Sequence, residues 1–356
     1  MNVATAGVKH PDTQELHSLQ ILRGIAALSV VYYHIGAMPE FGSFGVDIFF
    51  VMSGFVIAMS LAKGQSATEF AIKRISRIVP LYWILTSVLL AIAYLAPHLL
   101  KSTTADLVNF AKSLFFIPYF KEEGVLRPML AVGWTLNYEM FFYGALWLSL
   151  VFARPLYFPL GIVIVFAAHL YFGFYSDSKV LSTFFGNSQI LEFLLGMVAF
   201  KLYKSSFWPN FSAPAALAIS VLSYAVMALF ESTGSRLNGL MIYGVPSIIL
   251  MISMLNLESS IRSARGRFLK MFEAMGDASY ATYLSHFFVV DAMRQFAFRK
   301  FNLLDPHTPL GVAIILILSL VLGHVLYKVI DKPLSELMRR RLNSVRLRAL
   351  PIVRTP

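Results

Sequence analysis

PLGVAIILILSLVLGHVLY, residues 309–327, runs without a single Asp, Glu, Lys or Arg. A helix needs about 20 predominantly apolar residues to cross the hydrocarbon of a bilayer, and this run, extended to 331, supplies them. Outward from it, nine further apolar stretches of comparable length lie at 19–38, 44–62, 78–97, 132–153, 156–175, 183–204, 211–231, 239–257 and 278–298. The whole chain agrees with its parts. Of 356 residues, 57% are hydrophobic and only 14% charged, whereas soluble domains carry roughly 25% charged residues. Most of this surface is not built for water. The predicted fold is an all-α polytopic membrane protein, a bundle of about ten transmembrane helices. Residues 1–18 form an N-terminal segment, 19–331 the membrane domain and 332–356 a basic tail. The first span is expected to stay uncleaved, because Arg23 interrupts it and no small-residue cleavage site follows. The 31 Phe and 16 Tyr suit interfacial belts. With no cysteine, disulfides, thiol nucleophiles and thiolate metal sites are excluded, and no metal is expected.

An even number of spans puts both termini on one side, and the bias of Lys and Arg selects it. With the termini in the cytoplasm, two thirds of the 30 Lys and Arg fall on the inner side, among them Lys73, Arg74, Arg77 and every basic residue from Lys328 onward. The net charge of +11 is therefore read as positive-inside bias and attraction to anionic headgroups in a cell inner membrane, not as nucleic-acid binding. The basic C-terminal run MRRRLNSVRLR is read as a headgroup-facing helix. Residues 98–131, with KSLFFIPYF at 112–120, are expected to form an external interfacial or re-entrant segment.

An ionisable side chain within the hydrocarbon costs about 2.5 kcal/mol or more, so each is a functional candidate by default. Arg23 and His34 lie eleven residues apart on the first span. Eleven steps of about 100° return to within roughly 20° of one face and separate the two by roughly 16 Å along the axis. They are expected to serve two depths of one cavity, Arg23 nearer the cytosol. The plain alternative is an arginine snorkelling to headgroups and a histidine bonded to a neighbouring helix. Asp47 opens the second span, either to orient a histidine or to cap the helix, and Gly54 is expected to permit close helix approach. Arg74 and Arg77 share a face beside Lys73. They mark orientation or clamp phosphate, for which guanidinium offers bidentate geometry. Thr135, Glu139 and Tyr143 recur every four residues on one face. Glu139 falls at about the depth of His34, its expected partner, unless hydroxyls hold it. In the ninth span Ser279, Tyr283 and His286 share a stripe, and Asp291 and Arg294 are expected to neutralise each other. His169, Glu192 and His324 are read as packing residues.

As a set, LRGIAALSVVYYHIG (22–36), GVDIFFVMSGFVI (45–57), KRISRIVPLYW (73–83), GWTLNYEMFFYGALW (133–147), LEFLLGMV (191–198), SYATYLSH (279–286) and VIDKPLSELMRR (329–340) resemble, in order, the acyltransferase 3 family. Those proteins are integral-membrane O-acyltransferases that modify surface and exported carbohydrates. SLFFIPYF and GWTLNYEMFFY look most like the exopolysaccharide-production branch, which O-acetylates a polysaccharide or its lipid-linked repeat. The resemblance matches Arg23 and His34 to the family's first-helix pair, with His34 catalytic, implies that Arg74 and Arg77 help engage the acyl donor, and matches Trp134 and Glu139 to the fourth-helix pair; Arg23 and Lys73 are further donor-binding candidates by position. Asp331 stands where relatives often have Glu, which leaves its role open.

The expected activity is transfer of a small acyl group, acetyl first, from cytosolic acetyl-CoA to a carbohydrate hydroxyl. The nucleotide would stay at the basic rim while the thioester reaches His34, which acts as general base or carries the acyl group transiently. Glu139 or Asp47 would orient the ring. Trp134, Tyr138, Tyr143, Ser279, Tyr283 and His286 are the acceptor-binding candidates. A proton-coupled transporter or flippase-like component of polysaccharide export would also hold His, Glu and Arg in a bundle. Such transporters carry inverted repeats with broken helices, and no matching pair stands out in the sequence.

Overall fold

The structure, a computed structural model, describes residues 16–37, 41–100, 103–122, 124–233, 239–264, 266–295 and 305–349. Each of the ten apolar stretches holds helix, though not with the predicted limits. In chain order the helices are α1 (His17–Ile35), α2 (Gly45–Leu61), α3 (Ala67–Leu95), α4 (Leu107–Leu114), α5 (Trp134–Phe152), α6 (Tyr157–Tyr175), α7 (Lys179–Gly186) and α8 (Glu192–Tyr203). They continue with α9 (Ala213–Ser232), α10 (Val245–Asn256), α11 (Glu258–Ser263), α12 (Arg267–Asp277), α13 (Ser279–Ala292), α14 (Pro309–Leu326) and α15 (Lys332–Ala349). Among the described residues, four helices are long and apolar enough to cross a membrane alone: Ala67–Leu95, Arg154–Tyr175, Ala213–Ser232 and Pro309–Val345. The pair Lys179–Gly186 and Ser188–Tyr203 makes a fifth if counted as one span bent by 49°.

Burial separates rim from interior. Only 17% of the span containing α6 and 22% of α9 are covered by protein, against 50% of α3, so α3 runs through the middle. Phe166, Tyr171, Phe174, Leu222, Ile317 and Val321 are exposed. A water-facing surface rarely gathers so much apolar area, and lipid covers it without cost. The chain is an all-α membrane protein.

Three boundaries moved for local reasons. Helix α3 begins eleven residues before the predicted 78, because Ser66 and Glu69 form a capping box: Ser66 Oγ accepts from the Glu69 N–H at 3.2 Å and the Glu69 carboxylate from the Ser66 N–H at 3.0 Å. Lys73, Arg74 and Arg77 thus ride on its first turns. The stretch predicted at 183–204 breaks at Asn187, whose side chain accepts from the Gln189 N–H at 3.0 Å and restarts the helix. At the other end α14 passes through a π-helical turn, Tyr327–Asp331, straight into α15. The predicted basic tail is helical to Ala349, and α15 packs on α3. The segment 98–131 holds amphipathic α4 and a short antiparallel ribbon, β1 (Phe120–Glu122) with β2 (Val125–Leu126), which the sequence reading did not include.

The tightest packing is between α2 and α8. A Cβ on Gly54 would collide with the Phe193 carbonyl, and one on Gly196 with the Val51 carbonyl. Backbone approach on this scale is what small residues allow between membrane helices. It brings Phe50 to 4.6 Å from Phe193, ring to ring, while α2 packs beside α1 and touches α5 through Phe50 and Ser53.

Candidate active site

Helices α1, α2, α3, α5, α13 and α15 surround a cavity of about 380 Å³. One end of it is cationic. Arg23 of α1 and Lys73, Arg74 and Arg77 of α3 line it. The Arg74 guanidinium lies over the Tyr143 ring at 5.7 Å and the Phe70 ring at 5.6 Å, while Arg77 lies 5.3 Å over Tyr280. These ring faces support the charge without neutralising it. Arg77 also pairs at 3.0 Å with Asp331, which is fully buried. Deeper in, the Glu139 carboxylate accepts from the Tyr143 hydroxyl and, at 3.2 Å, from Ser53 Oγ.

Tyr283 also lines the cavity. Its hydroxyl donates to the Val132 carbonyl at 2.8 Å and accepts from Thr135 Oγ1 at 2.9 Å, joining α13 to the start of α5. The His286 ring lies 6.0 Å from that of Tyr283 between centroids, and 4.8 Å from the ring of His34. Neither histidine lines the cavity.

His34 is held in one tautomer. Its Nδ1 lies 2.9 Å from the Val30 carbonyl, which can only accept, so Nδ1 carries the proton and Nε2 keeps a lone pair. His286 repeats the arrangement on the Thr282 carbonyl at 3.3 Å, and its fully buried Nε2 has no partner among the described residues. Arg294 fixes the end of α1 by donating from Nη2 to the carbonyls of His34 and Ile35, both at 2.8 Å. Gly36 turns the chain there with φ 71°.

The expected residues divide into two groups. Arg23, Lys73, Arg74, Arg77, Glu139, Tyr143, Ser279 and Tyr283 meet at the cavity. The others lie apart. Glu139 is held by hydroxyls instead of by His34, whose near neighbour is His286. Asp47 points away, accepting from Gln189 Nε2 at 3.2 Å with Glu192 against it, because the first turn of α2 faces α8. Tyr138 is buried, stacked on Phe184 at 4.3 Å with its hydroxyl on the Phe184 carbonyl, and Trp134 packs edge-on against Phe50. Arg294 serves the α1 terminus, a role that the spacing to Asp291 does not suggest.

Some residues at the site escaped the sequence reading. Tyr280, Ser335, Glu336 and Arg339 line the cavity. Arg127, in the segment after β2, comes within electrostatic reach of His34 and Tyr283. The spacing of Asp331, Ser335 and Arg339, every fourth residue, was a usable signal for one helical face.

The Acyl_transf_3 family, described as an acyltransferase domain, matches residues 16–328. The chain is 30% identical over 309 residues to the exopolysaccharide production protein ExoZ of Rhizobium meliloti, covering 84% of this chain and 92% of that protein. It is 23% identical over 376 residues to the acyltransferase MdmB of Streptomyces mycarofaciens, covering 93% and 94%. A third similarity, 32% over 141 residues, is to the peptidoglycan O-acetyltransferase OatA of Listeria monocytogenes, covering 35% of this chain and 22% of that one. No solved structure matches. With the family matched over nearly its whole length, the chain belongs to the acyltransferase 3 family and is an acyltransferase.

Proposed function

We propose that the chain moves a small acyl group, acetyl first among them, from acyl-CoA to a hydroxyl of an exported or cell-surface polysaccharide or its lipid-linked precursor. The observation that carries this reading is the cationic cavity bounded by Arg23, Lys73, Arg74 and Arg77. Phosphates of a coenzyme are the natural counter-charge for such a collar, and arginine suits them bidentately. The name of the ExoZ relative supports an exopolysaccharide acceptor.

In this reading about ten helices cross the inner membrane, and both termini and the cationic mouth face the cytosol, where the positive-inside bias puts them. His34 is the reacting base. Its Nε2 lone pair takes the proton of the acceptor hydroxyl as that oxygen attacks the thioester carbonyl. The C–S bond then breaks, and the coenzyme thiolate leaves with the proton from the imidazolium. Glu139 and Tyr143 are held together in the cavity along the donor's route. Tyr283 stands between the cavity and the histidines, so the thioester meets Nε2 only when Tyr283 releases Thr135 and Val132.

Replacing His34 tests the reading. In H34A cells, O-acetyl methyl signals in proton NMR spectra of extracted polysaccharide should fall by about 10²–10⁴-fold in rate of appearance, the share of a general base, with polymer export intact. Normal acetyl content with export lost would instead make the chain a transport component.

A further inference from the structure

The cavity is not closed by the membrane helices alone. Three residues of α15, Ser335, Glu336 and Arg339, complete its wall at the cationic end. The helix is held there by Asp331, which is buried, pairs with Arg77 at 3.0 Å and accepts from Ser335 Oγ at 3.4 Å. Arg339 continues the same face one turn beyond Ser335. It reaches Lys73 closely enough for the two charges to repel.

The cavity wall therefore carries five cations, Arg23, Lys73, Arg74, Arg77 and Arg339, against two carboxylates, Glu139 and Glu336. Glu139 accepts from Tyr143 and Ser53 and lies within electrostatic reach of Arg23, so the cations still outnumber the carboxylates. Arg77 is already paired with Asp331, but like charges brought together by packing are a standing cost, relieved when an anion binds between them. The cations are also ordered by depth. Arg339 and Lys73 are exposed, Arg74 and Arg77 half-buried, and Tyr143 beyond them buried.

We infer that the C-terminal helix is part of the donor site, and that Arg339 with Lys73 binds the outermost phosphate of the acyl donor. This rests on the reading of the cavity as a coenzyme A site. Coenzyme A carries a pyrophosphate in the middle and a separate 3′-phosphate on its adenosine. A donor threaded with its acyl end inward leaves the 3′-phosphate at the mouth, beside the most exposed cations, and the pyrophosphate beside Arg74 and Arg77. Arg339 is thus a specificity residue that distinguishes the full coenzyme from shorter thioesters.

The test is equilibrium binding of acetyl-CoA and of acetyl-dephospho-CoA, which lacks the 3′-phosphate, to the full chain in lipid nanodiscs. Wild type should prefer acetyl-CoA. R339E should weaken acetyl-CoA binding by about tenfold or more, the worth of a charge-assisted phosphate contact, and leave acetyl-dephospho-CoA nearly unchanged. R339K should recover part of the preference, whereas R341E, an exposed arginine outside the cavity, should keep it. Equal weakening of both ligands by R339E, or no weakening, overturns the assignment while leaving the donor reading intact. A wild-type chain with no affinity for acetyl-CoA overturns the donor reading and this inference with it.

Discussion

Glu258 ties the beginning of α1 to α11. Its carboxylate accepts from the Ser18 N–H at 2.8 Å, the His17 N–H at 3.2 Å and Arg262 Nε at 2.8 Å. Burial pushes its pKa up, but these donors outweigh burial and hold it below the ordinary 4.5. A carboxyl whose folded pKa is depressed adds stability above its unfolded pKa, and that stability is lost as pH falls through the folded value. Thermal melts in detergent should therefore be insensitive to Glu258 ionisation at neutral pH and fall off below about pH 4.5, where carboxylates protonate. E258Q should melt lower at neutral pH and show a shallower acid limb, and an unchanged limb would mean that the contact carries no linkage. The residue scale is also where the sequence said least about partners. His34 and His286 were both visible as intramembrane imidazoles, but their contact joins residues 252 positions apart on different helices. A helical stripe gives direction, not the neighbour that it meets. Arg294 shows the same limit: three residues from Asp291 it looked like a local pair, yet the open carbonyls at the end of α1 take its guanidinium.

At the scale of elements, apolar runs of bilayer length predicted the helices, because each such run must satisfy its own backbone hydrogen bonds in lipid. Their limits follow subtler chemistry. The Ser66–Glu69 box that starts α3 early is readable in the sequence as S-A-T-E, while the bend at Asn187 and the continuation through Tyr327–Asp331 depend on what packs beside them. Gly54 was legible as a close-approach residue, and the α2–α8 contact supports that reading. The obstruction facing it is a backbone carbonyl, which cannot rotate away as a side chain would. G54A should accordingly destabilise the protein by about 1–3 kcal/mol through overpacking, with G196A similar. Fluorescence-detected gel filtration after heating would measure this. A G54A chain as heat-resistant as wild type would mean that α8 shifts freely, contrary to a packed interior.

For the whole molecule, the Arg77–Asp331 pair matters because it closes the chain on itself, joining the third helix to the turn that leads into the last across 254 positions. Removing one partner of a buried pair strands the other, at a cost on the order of 3–5 kcal/mol when both are buried. Arg77 is 32% exposed, so the smaller end of that range applies. R77A should lower the melting temperature, and the double variant R77A/D331N should regain part of it, since the stranded carboxylate is gone. Failure of the second change to recover stability would place the whole effect in the lost Arg77 packing on Tyr280. The membrane class and the cationic collar were legible from charge and hydropathy alone. The split of the polar residues into a cavity group and a histidine group was not, because it depends on how α1, α5 and α13 pack together, with Tyr283 of α13 tied to the start of α5.

That bridge has an electrical consequence. A continuous wet channel from one face of a bilayer to the other would shunt the ion gradients on which a cell runs. In the proposed reading, a phenol held by two hydrogen bonds beside the histidines would act as insulation, letting a polar funnel and the proposed reacting imidazole share one bundle without short-circuiting the membrane around them.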